Sequence, residues 1–266
     1  MKSLFRYSQY VLFGVAILSL VSGSSRAVLS HIVMPVDVSR EVTFAVPSGV
    51  LEHGSRDQPV VALTFDADMT PKMKHDLETG VVKSWYDRRV TDILEKNQVP
   101  ATLFITGMWA EMYPEDVKTL AANPLFEIGN HSYDHGAFHV PCYGLGAVRD
   151  KREEVTKTQD ILRSLTGVVP RYFRFPGGCG SSEDVALVSA LGVQVVGWDD
   201  ISGDAYLRDR PGPIVAQTVA HAQNGSIIVM HMHGGPTAPQ TAAALQKIID
   251  GLRARGFGFV KVSDLK

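Results

Sequence analysis

The sequence predicts an α/β domain in which parallel strands alternate with helices and wind into a barrel. Short apolar runs rich in Val and Ile recur along the chain, separated by stretches with three- and four-residue apolar spacing. Several runs are apolar throughout rather than alternating, which marks strands buried on both faces. Unusual polar residues gather where these runs end, the position at which such barrels carry function. The 266 residues, 45% hydrophobic, suffice for one large domain. A net charge of −2 gives no reason to expect nucleic acid as a partner and suits a neutral polymer or small molecule.

The N-terminus carries a different signal. Lys2 and Arg6 precede an apolar run from Val11 to Val21, and Ser25-Arg26-Ala27 offers a small-residue cleavage site. Residues 1–27 therefore read as a signal peptide, which places the protein outside the cytoplasm: secreted, periplasmic or in the cell envelope. The run is short against the roughly 20 residues of a membrane span, so a retained N-terminal anchor is the alternative and the only route to a membrane. Residues 28–57 form a lead-in of short β-like runs broken by Pro and Gly, and the domain proper occupies 58–266.

Val60 to Asp66 is the first strand. Val82, Trp85, Tyr86, Val90, Ile93 and Leu94 then recur at helical spacing. Ala101 to Thr106 is the second strand, and Trp109, Met112, Val117 and Leu120 mark its helix. Leu125 to Asn130 is the third, followed by a helix from about Val148 to Leu165 that Gly167 ends. Arg171 to Phe175 is the fourth, with a helix capped at Ser182. Val193 to Trp198 is the fifth, with a Pro-started helix around Ile214 to Ala220. Ser226 to His231 is the sixth, Thr241 to Arg255 a helix, and Phe257 to Val262 the seventh.

At the strand ends stand Asp66 and Asp68, His131 and His135, Arg174, Asp200 and Asp204, and His231. Hydrolysing an amide with a metal needs a Lewis acid, a base for water and an acid for the leaving amine. Two imidazoles and one carboxylate hold catalytic zinc while leaving coordination positions open. His131, His135 and either Asp66 or Asp68 supply that set, and the other aspartate is the base. His231 is the natural acid, oriented by a nearby aspartate; His233 reads as a loop residue or substrate contact. Cys142 and Cys179 fall in loops at this same end, so export predicts a disulfide between them, with free thiols or a metal contact as alternatives.

Thr64-Phe65-Asp66-Ala67-Asp68, His131-Ser132-Tyr133-Asp134-His135, Arg174-Phe175-Pro176-Gly177-Gly178, Trp198 to Asp204, and Ile227 to His231 resemble five ordered motifs of the polysaccharide deacetylases, carbohydrate esterase family 4 or NodB homology domain. The resemblance covers residues 58–266 and implies a distorted (β/α)7 barrel. It implies Asp66 as general base, Asp68, His131 and His135 as ligands of a divalent metal, with zinc expected, and Arg174 as the brace of Asp66. It further implies the Gly177 N–H as oxyanion donor, and Asp204 as the group orienting the acid His231. The implied substrate is an acetylated polysaccharide or oligosaccharide, N-acetylated as in peptidoglycan or chitin-like polymers. The alternatives are an O-acetyl esterase of the xylan type and a non-catalytic carbohydrate-binding relative. Three positions depart from the family pattern: Ala67 separates the two aspartates, Ala205 stands where an aromatic residue is usual, and Gly177 replaces a tyrosine. Tyr143 and Tyr206 remain as candidates to stack on sugar.

Overall fold

Strand β1, Val60–Ala67, is where the sheet and the site meet. The computed structural model describes residues 49–265; the signal segment and the lead-in up to residue 48 lie outside the described residues. β1 pairs in parallel with β2, Ala101–Ile105, on one side and with β7, Ile227–His231, on the other. β3 (Phe126–Asn130), β4 (Tyr172–Phe173) and β5 (Gln194–Val195) follow beyond β2. β6, Asp200–Ile201, lies beyond β7, and β8, Gly258–Phe259, pairs with the first two residues of β1. Seven strands of the eight-stranded sheet run β5-β4-β3-β2-β1-β7-β6, and β8 joins off this path at β1. It is the expected parallel α/β fold, curled as a half-barrel, with β6 as a strand that the sequence reading left in the loop after Trp198. Lead-in residues bridge the sheet at two places: Leu51 pairs with Val196, after the edge strand β5, and His53 with Ser226, before β7.

Strand periodicity divides the residues between two cores. In β1 the odd positions Val61, Leu63, Phe65 and Ala67 join Leu103, Ile105, Ile228, Met230 and Met232 against the helices. The even position Ala62 joins Phe104, Val196 and Ile227 in a separate cluster on the other face. Thr64, Asp66 and Asp68 share the parity of Ala62, and His231 and His233 share that of Ile227. The concave face of the sheet therefore receives the polar residues at the carboxyl ends of β1 and β7.

The helices differ from expectation where a local stop intervenes. The first predicted helix is two, α1 (Pro71–Glu78) and α2 (Arg88–Lys96), and Val82, Trp85 and Tyr86 lie in the loop between them. Gly80 turns the chain at φ +75, and Trp85 and Tyr86 are buried from the loop rather than from a helix face. The second is also split, into α3 (Gly107–Met112) and α4 (Pro114–Ala122), at the proline. α5 (Lys151–Thr166) ends at Gly167 in the left-handed conformation, as read. α6 (Ser182–Ala190) starts from a capping box at Ser181, α7 spans Pro211–His221, and α8 spans Thr241–Ala254.

Asp199 and Asp200 do not reach the carboxyl ends of the strands. Asp199 is held by Arg56 at 2.7 Å, by Ser226 and by the Ile227 N–H. Asp200 opens β6 fully buried, with neither carboxylate oxygen hydrogen-bonded. Burial, with Asp199 adding to it, pushes its pKa from 3.8 to about 8. The native state therefore binds the proton more tightly than the unfolded chain, and stability falls as pH rises from about 4 to about 8. The slope is at most about 1.4 kcal/mol per pH unit. Asp200→Asn removes the titration. Urea midpoints at pH 5 and pH 8 are expected to show the variant gaining on wild type at the higher pH; an unchanged difference would contradict the buried-acid assignment.

Candidate active site

The site is assembled from strand ends. Asp66 lies opposite Phe104 of β2 and His231 of β7 in the parallel registers. The N–H of His131 continues the ladder to Ile105, and that of Arg174 to Asn130. Backbone pairing alone thus brings four motif residues from distant parts of the chain to one level.

The turn after β3 sets the two histidines. Ser132 and His135 both adopt left-handed backbone, φ +67 and +62, a costly choice for non-glycine residues that needs surrounding support. Asn130 Oδ1 accepts the Ser132 N–H, and Glu154 of α5 accepts those of Tyr133 and Asp134. The result sets the imidazoles edge to face, 5.0 Å apart. His131 donates its Nδ1–H to the Arg174 carbonyl at 2.9 Å, which fixes the tautomer and leaves Nε2 as a lone pair.

Asp68 faces that lone pair. Its Oδ1 is 3.4 Å from His131 Nε2 and its Oδ2 is 3.4 Å from His135 Nε2. Ligand atoms of Asp68, His131 and His135 lie within 4.8 Å of one another. Asp68 Oδ1 and His131 Nε2 are buried without hydrogen-bond partners, so the pocket contains acceptors that only a cation or proton satisfies. Burial alone would raise the Asp68 pKa, but the imidazoles around it hold it well below the ordinary carboxylate range. Burial lowers His135 to about 4, which keeps it neutral. Burial opposes a charge on His131, but Asp66 and Asp68 beside it raise its pKa, so a cation there competes with a proton. A carboxylate and two imidazoles that give up their protons are the donor set of a divalent metal, and the residues fit one.

Asp66 is the second buried carboxylate. Arg174, fully buried, donates from Nη1 to Asp66 Oδ1 at 2.7 Å, and Asp66 Oδ2 lies 3.6 Å from His131 Nε2. The guanidinium stacks 4.0 Å from the centre of the Phe104 ring and also donates to the Gly197 carbonyl. Gly129 makes this possible, since a Cβ there would stand 2.6 Å from the Phe104 ring.

Across the strand pair, His231 Nδ1 bonds Asp204 Oδ1 at 2.8 Å. Asp204 Oδ2 accepts the His231 N–H and the Thr241 hydroxyl, both at 2.7 Å. Burial opposes the charge on His231, but Asp204 outweighs it and raises the imidazole well above the ordinary histidine range. Thr241, the first residue of α8, was not singled out from the sequence, because its partner lies 37 residues away. His233 was misread. It is buried at 2% exposure, with Nδ1 3.6 Å from Asp68 Oδ2. Its burial beside Asp68 follows from the loop after β7 folding back over the strand ends, which no local spacing signals.

Cys142 and Cys179 are joined, with S–S 2.09 Å and Cα–Cα 6.0 Å, so neither is a thiol or a metal contact. The bond ties the loop after His135 to the turn after β4. Gly177 lies in that turn at φ +61, where a Cβ would meet Cys142 Sγ at 2.9 Å and Tyr143 Cδ2 at 3.2 Å. The disulfide and Tyr143 thus fill the side on which a residue larger than glycine would project. Tyr143 and Tyr206 stay exposed, at 75% and 54%.

A carboxylate braced by arginine and an imidazole braced by a carboxylate thus stand, with an Asp–His–His cluster of metal-ligand spacing, at the carboxyl ends of a curled parallel sheet, the arrangement of a hydrolytic site. The family profile described as polysaccharide deacetylase matches residues 53–196. A peptidoglycan-N-acetylglucosamine deacetylase of Bacillus cereus is 29% identical over 219 residues, 80% of this chain and 70% of the relative. A chitooligosaccharide deacetylase of Sinorhizobium fredii is 28% identical over 211 residues, 75% of this chain and 88% of the relative. Among solved structures, a peptidoglycan N-acetylglucosamine deacetylase with a bound N-hydroxybenzamide superposes with a TM-score of 0.68 at 26% identity, covering 82% of this chain and 92% of that one. The chain belongs to the polysaccharide deacetylase family, hydrolases that cleave the amide carbon–nitrogen bond of acetylated sugars.

Proposed function

We propose that the protein is an exported, zinc-dependent deacetylase that removes acetyl groups from N-acetylated sugars of peptidoglycan or a chitin-like polymer. One observation carries the reading: Asp66 with Arg174, and His231 with Asp204, converge on the Asp68–His131–His135 cluster. The names of the B. cereus and S. fredii relatives supply the substrate class. The Cys142–Cys179 bond supports an oxidising compartment, in line with the N-terminal signal pattern.

Two imidazoles and a carboxylate suit zinc, which when bound polarises the acetyl carbonyl and acidifies water. Asp66 takes the proton of the attacking water on Oδ2, because Arg174 occupies Oδ1. By its place in the third motif, Gly177 supplies the backbone N–H for the oxygen on which negative charge develops. His231 gives the proton of Nε2 to the leaving amine, while Asp204 holds Nδ1. Tyr143, beside Gly177, and Tyr206, two residues past Asp204, are exposed and offer ring faces to sugar.

The test is acetate release from N-acetylglucosamine oligomers and intact peptidoglycan, beside an acetylated xylan. Activity on the first two is expected to fall with chelator and return with zinc. Release from xylan alone would transfer the reading to an O-acetyl esterase. Zinc binding with no acetate from any of the three would transfer it to a non-catalytic carbohydrate-binding protein.

A further inference from the structure

We propose that His233 is a positioning residue for the metal-binding carboxylate: its Nδ1–H restrains Asp68 Oδ2 and thereby sets how Asp68 faces His131 and His135. The inference rests on the metal reading of that cluster. His233 is 2% exposed, and its Nδ1 has no hydrogen-bond partner. An unpaired buried donor is disfavoured unless a nearby acceptor completes it. Asp68 Oδ2 stands 3.6 Å away, so a movement of about 0.6 Å closes an ordinary N–H···O bond. His233 lies outside the set whose ligand atoms fall within 4.8 Å of one another, which makes it a partner of the ligand rather than a fourth ligand.

The backbone around His233 is built to hold the ring there. Met232, its neighbour just past the end of β7, packs into the helix-side core, while the His233 ring turns to Asp68. The Met232 carbonyl accepts the Asp87 N–H, which ties this course to the α1–α2 loop. Gly234 and Gly235 follow in left-handed conformation, and a Cβ on them would lie 2.9 Å from Asp87 and 2.4 Å from the Trp85 ring. The Trp85 ring in turn lies edge-on to His233, centroids 6.3 Å apart, with His231 at 5.2 Å on another side. A phenylalanine or leucine would fill this apolar contact. The nitrogen facing Asp68 is what a core role leaves unexplained.

Outer partners of metal ligands affect affinity by about 10- to 100-fold. Zinc affinity would be measured by competition with a chromophoric chelator for wild type, His233→Ala, His233→Phe and His233→Asn, with melting of each metal-free protein. His233→Phe keeps a ring against Trp85 but has no donor. His233→Asn places an amide N–H near the position of Nδ1. Expected is a loss of about 10-fold or more in zinc affinity for the Ala and Phe variants, with Asn recovering most of it, and no matching order in the metal-free melting temperatures. Wild-type affinity in a folded Phe variant would overturn the inference, as would an Asn variant no better than Phe. A wild-type protein that binds no zinc would overturn the metal reading itself, which separates the two failures.

Discussion

Asp66→Asn is expected to lower kcat/KM for acetate release by about 10³-fold, within the range of positioned proton transfer, while leaving zinc affinity close to wild type. The substitution keeps shape, and the amide oxygen can still accept from Arg174 Nη1, now at 2.7 Å from Oδ1. What it removes is the basicity of Oδ2. Steady-state rates and a zinc titration on the same sample decide the assignment. Release that survives the change would pass the base role to Asp68. Rates that fall together with zinc affinity would make Asp66 a ligand. Some stability should be lost as well, because the Arg174 guanidinium is fully buried and loses its counter-charge. Breaking such pairs outright costs about 3–5 kcal/mol, and the retained hydrogen bond should keep the loss below that range.

His231→Ala is expected to reduce turnover on N-acetylated sugar by about 10²-fold or more, and turnover on an aryl acetate far less. An amine leaves only if protonated, whereas a nitrophenolate leaves unassisted, so the ratio of the two losses isolates the acid. Equal losses on both substrates would show that His231 binds or positions rather than donates. The brace makes a linked prediction about pH. Asp204 raises the His231 pKa, and the protonated imidazole is the active form. Asp204→Asn lowers that pKa, so the alkaline limb of kcat/KM against pH is expected to move toward lower pH. The limb would stay in place if a different group set it.

The sequence carried the order of the fold because its signals are local. Continuous apolar runs marked β1, β2 and β7, and Gly167 marked the end of α5, while the cap expected at Ser182 is made one residue earlier, by Ser181. Periodicity misled where a loop buries large side chains. Val82, Trp85 and Tyr86 keep helical spacing by coincidence, and Gly80 breaks the helix before them. Asp200 looked like a site residue because it lies within the fourth motif, yet the strand that begins there leaves it buried without a partner.

By itself the sequence determined the alternating strand and helix order and the motif residues at strand exits, since both follow from side-chain type at short spacing. Tertiary structure alone decided the rest. Which aspartate meets Arg174 and which meets two histidines depends on the parallel registers of β1 with β2 and β7, set across gaps of tens of residues. The same holds for the joined cysteines, the Thr241 bond to Asp204, and the burial of His233 beside Asp68. A hydrogen bond or a carboxylate–imidazole contact is fixed within a few tenths of an ångström, and only the packed sheet brings such distant residues that close.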